Sequence, residues 1–121
     1  MARILIADDD PLLLSLLKNL LEQSGHEVAT ADNGRRALEL VDRGPDFALV
    51  ITDIQMPEVD GLEVIRALRR RDPSPRIIAM SSYGGTEGYL HAARLFGADL
   101  ALVKASDLKR LLLAVRTVLE T

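Results

Sequence analysis

Apolar positions along this chain fall into two alternating patterns: short unbroken runs, and longer stretches spaced at three and four residues. The runs are 3–7 (RILIA), 27–31 (EVATA), 47–51 (FALVI), 76–80 (RIIAM) and 100–103 (LALV). Unbroken apolar runs of this length read as strands buried on both faces, as in a parallel sheet covered by helices. The 27–31 run is polar at its ends, as suits an edge strand. Between the runs the spacing becomes helical. The first helix is expected over about 11–24, with Leu13, Leu16, Leu17 and Leu20 on its inward face and Gly25 ending it. Leu12 and Leu14 fall off that stripe and are expected to be partly exposed.

The remaining helices follow the same logic. Asp32, Asn33 and Gly34 open a second helix that runs to Arg43, with Ala37, Leu38 and Val41 inward and Gly44 and Pro45 closing it. A third is expected over about 62–71 on Val64, Ile65 and Leu68. The 72–75 segment, DPSP, is a rigid loop. The Gly-rich stretch 83–88 leads into a fourth helix through Phe96, which Gly97 caps. The last helix starts at Ser106 and Asp107 and carries Leu108, Leu111, Leu112, Val115 and Leu119. Five strands alternating with five helices predict an α/β fold: a doubly wound, five-stranded parallel sheet in the order 2-1-3-4-5, with helices on both faces.

Length and composition narrow the class. At 121 residues the chain is one domain, 1–121, large enough for a proper core. A net charge of −3 and the lack of a Lys/Arg block give no general affinity for nucleic acid. The chain has no cysteine, so it has no disulfide, thiolate metal site or Cys nucleophile. No apolar stretch is long enough to span a bilayer, and the first residues do not form a secretory signal. A cytoplasmic protein with no membrane contact is the expectation. His26 and His91 have no neighbouring ligand set and read as surface histidines.

The chemistry gathers at the strand ends. The first strand ends in Asp8 and Asp9, while Asp10, just before Pro11, is an expected helix N-cap. The third strand ends on Thr52 and Asp53, the fourth on Ser81 and Ser82, and the fifth on Lys104. In the 2-1-3-4-5 order these groups share the carboxyl edge, where open α/β sheets bind ligands. Three carboxylates repel one another unless a cation sits among them. Hard oxygen donors of this kind suit Mg²⁺. A carboxylate can attack phosphorus to give an aspartyl phosphate, with Mg²⁺ and Lys104 neutralising the phosphoryl charge and Ser81 donating to one of its oxygens.

The segments ILIADDDP, DIQMPEVDG, RIIAMSS and LALVK resemble the receiver domain of bacterial two-component response regulators, and the resemblance covers essentially the whole chain. DIQMPEVDG is the most specific of them. The resemblance implies that Asp53 accepts a phosphoryl group from a sensor histidine kinase or phosphotransfer protein. It implies Mg²⁺ held by Asp8, Asp9, Asp53 and the backbone carbonyl of Gln55. It also implies that Ser81 is the hydroxyl switch and Lys104 the phosphate-binding lysine. Such a site catalyses its own phosphorylation and slow dephosphorylation. A stand-alone, chemotaxis-regulator-like receiver is one expectation; a receiver cut from a larger regulator is another.

Two positions depart from the family pattern. Ala105 stands where Pro usually follows the lysine, and Ala101 stands where Tyr or Phe usually precedes it. The peptide bond between Lys104 and Ala105 is expected to be trans, since cis costs about 2.5–4 kcal/mol outside proline. With no ring at Ala101, output is expected to run through the 82–88 loop and the fourth helix. Two other classes compete with this reading. A pseudo-receiver would use the fold only to bind protein, but would keep repelling carboxylates without use. A haloacid-dehalogenase-type phosphatase would need an acid at the position of Gln55.

Overall fold

The first strand, β1 (Arg3–Ala7), sends alternate side chains to opposite faces, and both faces are apolar, so Ile4 and Ile6 pack on one side while Leu5 and Ala7 pack on the other. The same division holds along β3 (Leu49–Asp53) and β4 (Arg76–Ser81). The edge strands are β2 (Glu27–Ala31) and β5 (Leu100–Val103). All neighbours are parallel and the sheet order is β2-β1-β3-β4-β5, as the alternation of runs predicts. In this computed structural model, residues 1–56, 58–81, 87–103 and 108–120 are described.

Five helices cover the two faces. α1 (Pro11–Gln23) and α5 (Leu108–Glu120) pack over Ile4, Ile6, Leu49, Ile51, Ile78 and Met80. α2 (Gly34–Arg43), α3 (Gly61–Arg69) and α4 (Glu87–Phe96) supply the opposite layer. Caps fix the starts. Asp10 Oδ1 accepts from the N–H groups of Leu12 and Leu13, Asn33 Oδ1 from Arg36, and Asp60 Oδ1 from Glu63. Among the described residues, no helix is long and apolar enough to cross a membrane.

Two expectations need correcting. On α1 the buried side chains are Leu14, Leu17 and Leu21. Leu14, expected off the stripe, is thus inward and Leu16, expected inward, is 43% exposed, while Leu12 is exposed and Leu17 buried as expected. Leucines at 12, 13, 14, 16, 17, 20 and 21 offer two stripes of helical spacing, and the one actually used passes next to Lys18. Lys18 lies at the rim of that stripe. It is half-buried there and reaches Glu22 at 3.9 Å, so a lysine beside the stripe does not exclude it from the core. His26, expected on the surface, is half-buried, and its Nδ1 accepts from the Ala2 N–H at 3.0 Å. Burial and the neighbouring N-terminal charge hold its pKa below the usual histidine value.

The amino edge of the sheet is tied together by one guanidinium. Arg69 Nε donates to the Gly97 carbonyl at 2.6 Å, Nη1 to Ser74 Oγ and the Pro75 carbonyl, and Nη2 to Asp99 Oδ2 at 2.8 Å. Asp99 also accepts from the Ile77 N–H at 2.8 Å and from Arg76 at 3.3 Å. α3, α4, β4 and β5 therefore meet at a single planar fork, which lysine could not reproduce. Gly97 has φ +121°, and a Cβ there would lie 2.6 Å from Arg69 Cγ, so the turn and the arginine fit one another.

Burial alone would raise the Asp99 pKa, but the Ile77 N–H, Arg69 and Arg76 outweigh it and hold it below 3.8. A depressed carboxylate stabilises the fold above its unfolded pKa and loses that contribution as pH falls through the folded value. Solvent screens much of this contribution at an exposed carboxylate, so Asp99→Asn should cost on the order of 1 kcal/mol at pH 7. Thermal melts should show the gap between variant and parent closing below about pH 4. An equal gap at pH 7 and pH 3 would remove the charge from the explanation.

Candidate functional site

Parallel pairing of Ala7 with Thr52 aligns the carboxyl ends of β1 and β3, and Asp8 and Asp53 are the next residues along. Both side chains are buried, Asp8 completely and Asp53 to 1% exposure, while Asp9 is exposed. One carboxylate oxygen from each of Asp8, Asp9 and Asp53 lies within 4.8 Å of the others. Local hydrogen bonds aim these groups. The Asp8 N–H donates to the Ala31 carbonyl at 3.0 Å, and Asp8 Oδ1 accepts from the Asp10 N–H at 2.8 Å. Asp53 Oδ1 accepts from the Gln55 N–H at 3.3 Å.

The loop after Asp53 is shaped by two close backbone approaches. A Cβ on Gly61 would sit 2.2 Å from the Asp53 carbonyl oxygen, and one on Gly34 would sit 2.0 Å from the Val59 carbonyl oxygen. Only glycine lets the start of α3 close against the end of β3, and the start of α2 close against the loop. The Gly61 N–H donates to the Ile54 carbonyl at 2.7 Å. Glu58 takes φ +66°, unusual for a residue with a Cβ, and its carboxylate pairs with Arg35 on α2 at 3.6 Å. The sequence marks Asp60 and Gly61 as a turn, but it gives no sign of Gly34 as the second contact. That approach joins segments far apart in the chain.

The neighbouring strand adds a hydroxyl. Asp53 is in register with Met80, and the next residue, Ser81, is fully buried. Ser81 Oγ has no hydrogen-bond partner among the described residues. A buried hydroxyl left without a partner costs about 1–3 kcal/mol, so it is suited to an oxygen that arrives with a ligand. Ala101 on β5 is half-buried against the α4 side of the core and has no ring to swing.

Asp8, Asp9 and Asp53 are thus brought together, with Gln55 beside them and Ser81 on the adjoining strand. Lys104 and Ala105 lie outside the described residues, as does the bond between them; so do most of the 82–88 loop and the expected helix start at Ser106 and Asp107. The donor set fits a small hard cation: three carboxylates, all oxygen, with one side open to solvent at Asp9.

Comparison with known proteins places this geometry in context. Residues 4–116 match the family model described as response regulator receiver domain. Transcriptional regulatory protein CpxR of Escherichia coli is 36% identical over 119 residues, covering 98% of this chain and 50% of that protein. Transcriptional regulatory protein ZraR of Klebsiella oxytoca is 36% identical over 112 residues, covering 93% of this chain and 25% of that protein. The chain spans half or less of the length of these curated relatives. Among solved structures, response regulator TrrA of Thermotoga maritima in complex with Mg²⁺-BeF is 36% identical, with a TM-score of 0.84 over 98% of this chain and 99% of that one. Chemotaxis response regulator CheY4 of Vibrio cholerae is 28% identical, with a TM-score of 0.87 over 98% of both chains.

Clustered carboxylates attract a cation before any chemistry begins, and in its absence they repel. Asp9→Asn should weaken Mg²⁺ binding in a calorimetric titration by tenfold or more. In chelator-treated buffer the same variant should gain stability on the order of 1 kcal/mol, a few degrees in Tm. Unchanged Mg²⁺ affinity would place the cation elsewhere.

Proposed function

The chain belongs to the response regulator receiver domain family of two-component systems, and from that membership we propose that Asp53 is its phosphoacceptor. The observation that supports this most directly is the meeting of Asp8, Asp9 and Asp53 within 4.8 Å at the carboxyl edge of the sheet. The phosphoryl group would come from a sensor histidine kinase or a phosphotransfer protein. A carboxylate oxygen of Asp53 forms a bond to phosphorus while the donor's phosphorus–nitrogen bond breaks, and the leaving imidazole takes up a proton. The Gln55 N–H holds one carboxylate oxygen in place and so limits the rotation of the nucleophile.

Asp8, Asp9, Asp53 and the Gln55 carbonyl would hold Mg²⁺, which supplies neutralisation of the phosphoryl oxygens. Ser81 Oγ donates to one of those oxygens and so gains the partner it lacks among the described residues. Lys104 supplies a second positive charge to the same group. The output then starts from Ser81 moving toward the phosphoryl group. Because Ala101 has no aromatic ring to follow it inward, the change passes through the segment after Ser81 to α4.

The partners in this reading are proteins, and the domain's net charge of −3 gives it no general attraction for nucleic acid. A cytoplasmic setting fits the absence of cysteine and of a membrane-length helix among the described residues. The relatives named as transcriptional regulators extend well beyond the matched region, and their activities stay with them.

Incubation with Mg²⁺ and a small phosphodonor, followed by intact-mass measurement, tests the assignment. The parent should gain one phosphoryl group and Asp53→Asn none, with unchanged circular dichroism. An unlabelled parent would leave a fold used only to bind protein, and a labelled Asp53→Asn would move the acceptor to another residue.

A further inference from the structure

The corner between β2 and α2 supplies none of the three clustered carboxylates, yet it touches both arms of the acidic site. On one side the Ala31 carbonyl accepts from the Asp8 N–H at 3.0 Å. On the other, α2 begins at Gly34, where a Cβ would lie 2.0 Å from the Val59 carbonyl oxygen and 3.0 Å from the Val59 Cβ. Arg35 then pairs with Glu58 at 3.6 Å. Gly34 is not in the left-handed region, so this close approach, and not its own conformation, is what requires a glycine.

The connection that rests on the corner runs from Ile54 to Asp60 and carries the Gln55 carbonyl. Backbone bonds hold its two ends. The Ile54 N–H donates to the Met80 carbonyl at 2.8 Å, and the Gly61 N–H donates to the Ile54 carbonyl at 2.7 Å. Glu58, between them, takes φ +66°, a conformation that is costly for a residue with a Cβ and persists only where its surroundings hold it. The Arg35–Glu58 pair is exposed and a weak restraint, so the backbone contact of Gly34 with Val59 is the firmer of the two. How firmly this connection is held matters to a cation. Mg²⁺ demands near-octahedral ligands at about 2.0–2.1 Å, whereas Ca²⁺ accepts looser arrangements at about 2.3–2.6 Å.

We propose that Gly34 and Arg35 are positioning residues for the cation: the β2–α2 corner fixes the connection that carries the Gln55 carbonyl and so makes the site select Mg²⁺ over Ca²⁺. The inference rests on the Mg²⁺ site proposed above and adds two residues that touch neither the ion nor the phosphoryl group. A Cβ at position 34 has to push the Val59 carbonyl back, and the displacement passes along the backbone to Gln55. The looser site that results suits Ca²⁺ better than Mg²⁺.

Calorimetric titration with Mg²⁺ and with Ca²⁺ tests this, the readout being the ratio of the two affinities. Gly34→Ala should weaken Mg²⁺ binding by about tenfold while Ca²⁺ binding changes by less than about threefold. A variant that loses only thermal stability and keeps the parent's ratio overturns the proposal. Arg35→Glu is a surface change that leaves the core intact, and it applies the same push by setting two acids against each other. Its added negative charge favours both divalent cations alike and cancels in the ratio. The ratio of Mg²⁺ to Ca²⁺ affinity should fall in Arg35→Glu and return when Glu58→Arg is added. An unmoved ratio in Arg35→Glu, or no return in the double swap, also overturns the proposal. A parent that binds no Mg²⁺ overturns the metal site and this inference together, whereas a parent that binds Mg²⁺ with the same ratio as its variants overturns the inference alone.

Discussion

Parallel pairing between β1 and β3 is the constraint on which the acidic site depends. The pair Ala7 and Thr52 sets the carboxyl ends of both strands level, so Asp8 and Asp53 come together without any attraction between them. Their charges oppose the arrangement, and the apolar layers on both faces of the strands hold it. A slip of one residue in this register would turn Ile4 and Ile6 toward the wrong layer and carry Asp8 away from Asp53. The core thus enforces a local arrangement that electrostatics disfavours, and the chain stays open to a cation and a phosphoryl group that would relieve it.

The two edges of the sheet do different work. At the amino edge, Arg69 satisfies carbonyls from two segments and a carboxylate, and Asp99 receives three donors, so opposite charges meet there. At the carboxyl edge, like charges meet and the Ser81 hydroxyl has no partner among the described residues. Polar groups paired at the amino edge, and a buried hydroxyl with no partner among the described residues at the carboxyl edge, mark which end suits a ligand. The loop between Asp53 and α3 connects with the rest through Gly61 against β3 and Gly34 against Val59, which makes α2 part of the site's support.

The sheet order and the acidic residues could be read from sequence because both rest on local patterns: unbroken apolar runs, and carboxylates directly after them. The phase of α1 could not. A helix with seven leucines among ten positions satisfies two stripes, and the burial of Leu14 beside a half-buried Lys18 settles between them only in three dimensions. His26 was legible as a lone histidine, but its bond to the Ala2 N–H joins residues 24 apart. The Arg69 fork was equally hidden, since its partners lie up to 30 positions away and an arginine at the end of a helix reads as solvated. Ser81 was found as a strand-end hydroxyl, though its lack of a partner among the described residues is visible only in the packed fold.

The central claim is that the buried Asp53, and not its acidic neighbours, carries the phosphoryl group. Borohydride reduces an acyl phosphate to an alcohol, converting a phosphorylated aspartate into homoserine at the modified position. Peptide mapping of the Mg²⁺-phosphorylated and reduced chain should find homoserine at position 53 alone. Homoserine at position 8 or 9, or none in a chain that has gained phosphoryl mass, would contradict the account.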